Sequence, residues 1–218
     1  LEIESFEVSN IGSDYFKNII FDTPNIKSVY VSSYSDTDID FSSIPSVETI
    51  KLDAKNVYNI DITKNPNLKS FEFDGGSNPN IKEIDFSYNS ELTSVKLTHC
   101  GITGLDLSNN LKVTDVKLLA KNCKYINLGY NPVLKELNPL LDGSTIYIPR
   151  HEHDDLIVIA PLLESLTLTE CGGYVDVTAC PNLTYLKISP QAHTTTMQAL
   201  DLSNQTKLQT LVLEHQPN

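Results

Sequence analysis

The segment from Leu92 to Asn110, LTSVKLTHCGITGLDLSNN, contains the pattern that decides the fold. Its apolar residues form two short runs that each read apolar-polar-apolar, and alternation of this kind places one face of a strand inward. The same frame begins again at Val113, 21 residues later, and occurs earlier in the chain from Val47. A fixed period of this length indicates a repeat architecture, in which stacked coils share one elongated core.

Each repeat contains two predicted strands, which we call strand A and strand B. The A strands are expected to centre on Phe6, Val29, Ile50, Phe71, Val95, Val116, Leu137, Leu166, Leu186 and Leu211. The B strands are expected to centre on Ile19, Ile39, Ile60, Ile84, Leu105, Ile126, Ile146, Val175 and Leu200. No window shows sustained helical periodicity. The sequence therefore predicts a single all-β-leaning solenoid over residues 1–218, with about ten parallel coils and few or no helices.

A column of asparagines follows strand B and supports this register. Its members are Asn65, Asn89, Asn110 and Asn131, and Cys180 replaces the asparagine in a later repeat. Proline follows this column or its equivalent at Pro24, Pro45, Pro66, Pro132, Pro161 and Pro181. Because a buried amide side chain can both donate and accept hydrogen bonds, we expect these asparagines to satisfy the turn backbone along the stack.

The motif LxxLxLxx(N/C)xL followed by xxLDLSNN resembles a bacterial leucine-rich repeat, and more narrowly the 21-residue IRREKO class. The resemblance covers nearly the whole chain and is weaker at the first coil and over 138–162. It implies strand A on a concave face that binds ligands and strand B on a convex face. It also implies a secreted protein or surface lipoprotein of the kind found in gut Bacteroidetes. The first-half asparagine of the family is replaced here, by Lys55, Cys100, Lys121 or Cys171.

The composition excludes several classes of function. The chain has 28 acidic against 16 basic residues, a net charge of -12, and a single arginine, Arg150. Binding to nucleic acid or to an anionic lipid surface requires clustered basic residues, so both are disfavoured. The sequence contains no run of 18 apolar residues, so it predicts no membrane-spanning helix. Because the chain begins at Leu1, we expect any signal peptide or lipid anchor to lie outside it.

The outward residues of strand A are the predicted binding surface. The strongest candidates are Tyr30, Lys51, Glu72, Lys96, Lys117 and Lys187. Adjacent Lys51 and Glu72 are expected to pair across the ladder. The surface is either a polar groove for a protein or glycan partner or a solvated sheet face that keeps the chain soluble.

The outward residues of strand B are more regular and mostly acidic. They are Asp40, Asp61, Asp85, Asp106, Asn127, Tyr147, Asp176 and Asp201. Such a stripe could bind a hard cation, because carboxylate oxygens are its preferred ligands. The favoured interpretation is that each aspartate accepts hydrogen bonds from the amides and hydroxyls of its own turn.

The cysteines and one histidine suggest no catalytic site. Cys100, Cys123, Cys171 and Cys180 fall on repeat positions that point inward and lack zinc-ligand spacing, so buried free thiols are favoured. A disulfide between Cys171 and Cys180 is the alternative if the protein is exported. His99 adjoins Cys100, but consecutive residues point to different sides, which disfavours a catalytic dyad.

The repeat is most irregular over 138–162. Between Leu137 and Leu166 lie about eight residues more than one period, and the extra segment includes His151, His153 and Asp155. A His-x-His pair with a carboxylate is a weak candidate for a metal site, although short exposed loops of this composition are usually solvated.

Nothing in the sequence predicts catalysis or a cofactor. There is no GxGxxG, P-loop or GxSxG motif. The leading hypothesis is a non-enzymatic extracellular module that binds a protein or glycan on a rigid repeat surface. The alternatives are a carbohydrate-active enzyme built on a parallel β-helix and a structural spacer within a larger surface protein.

Overall fold

Parallel strands stack along the chain and form a β-solenoid. The structure is a computed structural model. It describes residues 4–11, 18–21, 23–36, 38–76, 80–120, 123, 125–129, 131, 133, 136–137, 156–161, 163–169, 173–189 and 197–214. These residues contain no helix, and hence none long and apolar enough to cross a membrane.

The strands of the described residues form two series. The A strands are β1 (Ser5–Ile11), β3 (Ser28–Asp36), β5 (Thr49–Asn56), β6 (Ser70–Asp74), β7 (Ser94–Thr98), β9 (Asp115–Leu119), β11 (Glu136–Leu137), β13 (Ser165–Thr169), β15 (Tyr185–Ser189) and β17 (Thr210–Leu213). The B strands are β2 (Asn18–Ile20), β4 (Asp38–Asp40), β8 (Gly104–Asp106), β10 (Tyr125–Asn127), β12 (Leu156–Ile159), β14 (Gly173–Ala179) and β16 (Met197–Asp201).

The A strands confirm the predicted register. They form one sheet in the order β1-β3-β5-β6-β7-β9 and a second in the order β11-β13-β15-β17. All ten predicted centres lie in these strands, and within each sheet they are directly opposite one another, as with Ile50 and Phe71. Apolar alternation was therefore sufficient to align these strands, because a one-residue slip would turn every apolar side chain outward.

The B strands agree with the prediction at most coils and differ around Ile60, Ile84 and Ile146. The predicted strands around Ile60 and Ile84 are wrong, because segments 57–62 and 80–86 form no ladder in the structure. Both isoleucines are nevertheless buried, with 6% and 8% of their surface exposed. Alternation reports which side chains face the core, and a coil can bury them without pairing its backbone. One contact between these coils and the next runs from the Thr103 amide to the Lys82 carbonyl, at 2.9 Å.

The irregular coil provides a third correction. We expected its B strand around Ile146, which lies outside the described residues. The position beside β10 is occupied instead by β12, with Val158 opposite Ile126. The apolar run from Leu156 supplies the residues that fit the core, and Val158 is fully buried. The extra residues of this coil therefore precede strand B.

Inward side chains from both series fill one elongated core. Val29, Ile50, Phe71 and Val95 follow one another along the A strands with no exposed surface. Phe71 also packs edge-on against Phe86 of the opposite side, with ring centroids 5.5 Å apart. Burying a side chain of this size stabilises the fold by roughly 1.5–3 kcal/mol. One coil alone would expose these residues, so stability depends on stacking.

The asparagine column links each coil to the one before it. The Asn89 Nδ2 atom donates to the carbonyls of Ile62 and Asn65, and Asn110 repeats the arrangement one coil later. The expected acceptance along the stack is wrong. Within the described residues, the Oδ1 atoms of Asn89 and Asn110 have no hydrogen-bond partner, and that of Asn131 accepts from the Val133 amide of its own turn. The column therefore acts through its donors.

Candidate binding surface

The outward residues of strand A form a continuous row in the first A sheet. Tyr30, Lys51, Glu72, Lys96 and Lys117 are directly opposite one another on five neighbouring strands, β3 to β9. We call these five residues the outer row. Because parallel strands lie about 4.8 Å apart, the row extends roughly 19 Å along the solenoid.

Contacts between neighbouring coils hold most of the outer row. The Lys51 Nζ atom lies 5.4 Å from the centre of the Tyr30 ring and 3.5 Å from Glu72 Oε1. The Lys96 Nζ atom lies 2.6 Å from the same Glu72 oxygen. One carboxylate is thus shared by two ammonium groups, and the expected pairing of Lys51 with Glu72 is present.

The charge state of Glu72 follows from these contacts. Partial burial disfavours its ionised form and acts to raise its pKa. The hydrogen bond from Lys96 and the charges of Lys51 and Lys96 outweigh that effect and hold the pKa of Glu72 below its ordinary value. The carboxylate is therefore ionised at neutral pH, and the three side chains act as one charged unit.

Lys187 lies apart from the outer row. It is on β15 of the second A sheet, opposite Thr167 and Val212. Its ammonium group lies 2.7 Å from Glu214 Oε1, and this hydrogen bond raises the pKa of Lys187. Of the six predicted binding residues, the structure thus brings five together and places the sixth in a separate sheet.

A hydrogen-bonded pair, His99 with Asp74, borders the outer row and was not predicted as a pair. The His99 Nδ1 atom lies 3.1 Å from Asp74 Oδ1, and Asp74 also accepts from the Gly76 amide. His99 has a backbone φ of 51°. Glycine is required at position 75, because a Cβ there would lie 2.8 Å from the His99 carbonyl oxygen. The sequence signal was the extra segment after Asp74, one coil before His99.

The outward residues of strand B form the Asp column, which we define as Asp40, Asp61, Asp85, Asp106, Asn127, Asp176 and Asp201. Each accepts a hydrogen bond from the amide two positions later, at 2.8–3.0 Å. Thr63, Ser108 and Thr178 add a hydroxyl donor to the same oxygen. This geometry agrees with the favoured interpretation of local hydrogen bonds. The predicted member Tyr147 lies outside the described residues, and Ile159 of β12 is the residue opposite Asn127.

These local hydrogen bonds lower the pKa of several carboxyl groups in the Asp column. The Ser42 hydroxyl and amide lower the pKa of Asp40, and the Thr63 amide and hydroxyl do the same for Asp61. At Asp106, burial acts to raise the pKa, but the Ser108 donors and Asn127 lower it overall. The Asp column is therefore a series of side chains that each accept hydrogen bonds from the turn of their own coil.

Metal-binding and thiol chemistry find little support in the described residues. No group of three or more His, Cys, Asp or Glu side chains there could hold a metal ion. His151, His153 and Asp155 lie outside the described residues. Cys100 and Cys180 are buried free thiols, as favoured, and Cys123 is partly buried. Cys171, the other half of the alternative disulfide, lies outside the described residues.

The two buried thiols behave as core residues. Burial raises the pKa of Cys100, and it raises that of Cys180 to about 11. The Cys180 Sγ atom takes the place of an asparagine amide and donates to the Val158 carbonyl at 3.3 Å. Neither thiol has the lowered pKa of a nucleophile, and His99 bonds to Asp74 instead of forming a dyad with Cys100.

Comparison with solved structures finds nine similar chains, among them the two described next. No protein-family model matches the chain, and no curated protein matches it. The functional domain of InlJ from Listeria monocytogenes, which includes a cysteine ladder, is similar with a TM-score of 0.46 and 18% identity, over 87% of this chain and 49% of that one. A chain of the Toll–Spatzle complex of Drosophila is similar with a TM-score of 0.45 and 15% identity, over 88% of this chain and 31% of that one. The chain thus spans about half or less of the chains it matches.

Proposed function

We propose that this chain is a non-enzymatic leucine-rich-repeat module that binds a protein partner outside the cell. The contact surface is the outer row with the flanking outward residues of the first A sheet. The LxxLxLxx(N/C)xL and LDLSNN motifs support the family, and so do the asparagine donors that link successive coils. The extracellular location is inferred from the resemblance of these repeats to secreted and surface proteins.

One observation carries the proposal. Five consecutive strands present an aromatic ring, three lysines and a glutamate in a single straight register. A flat polar row with a partly exposed aromatic ring suits a protein surface, because Tyr supplies contact area and charged residues orient and select the partner. The Asp column offers no comparable surface, since its carboxylates are committed to their own turns.

The proposal is tested by a matched pair of variants. The row variant carries Tyr30→Ala and Lys51→Gln. The control variant carries Tyr58→Ala and Lys64→Gln, which changes the same residue types and charge at exposed positions away from the outer row. Both variants and the unaltered protein are applied to arrays of purified extracellular proteins and of glycans, after thermal melting has shown that each is folded.

We expect a protein that binds the unaltered chain and the control variant but binds the row variant at least about tenfold more weakly, the loss typical of a contact at the centre of an interface. Equal loss in both variants would contradict the proposal. A glycan as the only ligand lost in the row variant would replace the protein partner. Retention of every ligand by the row variant would favour a spacer, and catalytic turnover removed by a defined substitution would favour an enzyme.

A further inference from the structure

Two lysines of the outer row lie side by side, and within the described residues only Lys96 forms an ion pair. Lys96 and Lys117 are directly opposite each other on β7 and β9. Lys96 is bound to Glu72. No carboxylate in the described part of the chain forms an ion pair with Lys117. Asp115, which lies on the same outward face of β9, accepts a hydrogen bond from the Ser94 hydroxyl at 3.0 Å.

This arrangement is unfavourable for the isolated fold. Like charges directly opposite each other on a sheet destabilise it. The chain has few bases to place, 16 against 28 acids. The row alternates in sign from Lys51 through Glu72 to Lys96, and a glutamate at position 117 would continue the alternation. Lys117 breaks the pattern, and an arrangement that disfavours the fold is expected where a surface serves binding instead of stability.

We propose that Lys96 and Lys117 together bind one carboxylate group of the protein partner. This inference rests on the proposed function and names the chemistry of its ligand. Two ammonium groups on strands about 4.8 Å apart can each donate to one oxygen of the same carboxylate. That carboxylate would sit beside Lys96 opposite Glu72 and would restore the alternation of charge along the row.

The overall charge of the chain favours a single acidic side chain over a polyanion. Charges are screened beyond about 8 Å at physiological ionic strength, so one carboxylate at this position interacts with the two lysines and their neighbours Glu72 and Asp115, and little with the remaining acidic surface. An extended polyanion would also meet the rest of a surface whose net charge is -12. The ligand is therefore an aspartate or glutamate of a protein partner.

The test uses N-acetyl-glutamate amide as the probe and N-acetyl-glutamine amide as its neutral match. Amide resonances of residues 96 and 117 are followed by NMR in the unaltered protein, in Lys117→Gln and in Lys69→Gln. Lys69 is the control because it is also an exposed lysine, paired with Glu48 at 2.6 Å, but lies off the outer row.

We expect saturable shifts with the glutamate probe only, at least about tenfold weaker binding in Lys117→Gln, and no change in Lys69→Gln. Equal shifts with the neutral probe, or equal weakening in Lys69→Gln, would overturn the proposal.

A second variant tests the cost of the lysine pair. Lys117→Glu completes the alternation with Lys96, so it should raise the melting temperature above that of the unaltered protein and abolish the response to the glutamate probe. A lower melting temperature than that of Lys117→Gln would overturn the argument from like charges.

The two proposals can fail separately. If the probe binds at Lys96 and Lys117 but no protein depends on Tyr30 and Lys51, the carboxylate subsite stands and the proposed function fails. If the row variant loses its protein partner but the probe produces no shifts, the proposed function stands and the subsite is wrong.

Discussion

The outer row and the Asp column arise from the same apolar-polar-apolar alternation, yet their side chains are satisfied in opposite ways. In the outer row, polar atoms bond between coils, as when Lys96 reaches Glu72 of the preceding coil. In the Asp column the bond that every member makes lies within its own turn, as when Thr178 donates to Asp176, and Asn127 adds one bond to Asp106 of the preceding coil. A polar residue that recurs once per repeat therefore says nothing about ligands until its hydrogen bonds have been traced.

The comparison also distinguishes the side chains that the repeat requires from those that remain available for binding. Each aspartate caps the turn that follows it, also in the coils of Asp61 and Asp85 that form no strand B, so the recurrence follows from the fold. The outer row varies from coil to coil, because its residues face solvent and need only match their neighbours. That variation allowed Lys117, which forms no ion pair within the described residues, to lie beside Lys96, and the same freedom is absent from the Asp column.

The largest expected effect concerns a contact between coils that is buried. Asn110→Ala removes two hydrogen bonds, to the carbonyls of Phe86 and Asn89, and leaves a small cavity. We expect a loss of about 2–4 kcal/mol in the free energy of unfolding. Urea denaturation measures it, and Asn109→Ala, at the adjacent exposed position, is the control that should change stability little.

If Asn110→Ala lowers the free energy of unfolding no more than Asn109→Ala does, hydrogen bonds between coils in the turn do not stabilise the stack. The difference between bonds that join coils and bonds within one turn would then have no effect on stability.

A smaller effect is expected in the Asp column. Asp176→Ala removes the acceptor for the amide and hydroxyl of Thr178, at 2.9 and 2.7 Å. We expect a loss of about 1 kcal/mol by urea denaturation. Asp176→Asn should be close to the unaltered protein, because Asn127 occupies the equivalent position and accepts from Gly129 in the same way.

The asparagine variant decides between a local cap and a charged stripe. A role in cation binding depends on the carboxylate charge, so it would make Asp176→Asn as harmful as Asp176→Ala, and calcium would then stabilise the unaltered protein alone.

The sequence was most informative for the A strands, whose inward apolar residues recur at a regular period. The A-strand centres from Phe6 to Leu211 could all be placed, because an apolar pair recurs on the inward side of each coil, although Leu211 of β17 is 42% exposed. Ile60 and Ile84 were correctly expected to be buried but wrongly expected to lie in strands, since backbone pairing leaves no separate mark on the apolar pattern. Ile146 was misplaced because a period cannot show on which side of a strand an insertion falls.

The candidate site was only partly predictable, for a different reason. Alternation placed Tyr30, Lys51 and Glu72 on one outward column, and strand spacing implied their contacts. The pairing of His99 with Asp74 depends on a positive φ and on a close backbone approach at Gly75. Both features occur in a single coil, so the pattern shared by all repeats could not predict them.

The smallest expected effect tests whether the outer row stabilises the fold at all. Because Glu72 is about a quarter exposed and its partners are more so, Glu72→Gln should cost only about 0.2–1 kcal/mol at neutral pH. Glu7→Gln removes the same charge from the end of the same column, where no ion pair occurs within the described residues, and should cost less.

The pH dependence fixes the sign of this effect. The pKa of Glu72 is lowered in the folded state, so its contribution is present above the ordinary value of 4.5 and is lost as the pH falls through the folded pKa. Urea denaturation between about pH 7 and pH 3 should therefore show the unaltered protein and Glu72→Gln converging in acid. If the difference in unfolding free energy persists undiminished in acid, Glu72 stabilises the fold through packing, and the ion pairs of the outer row contribute nothing to stability.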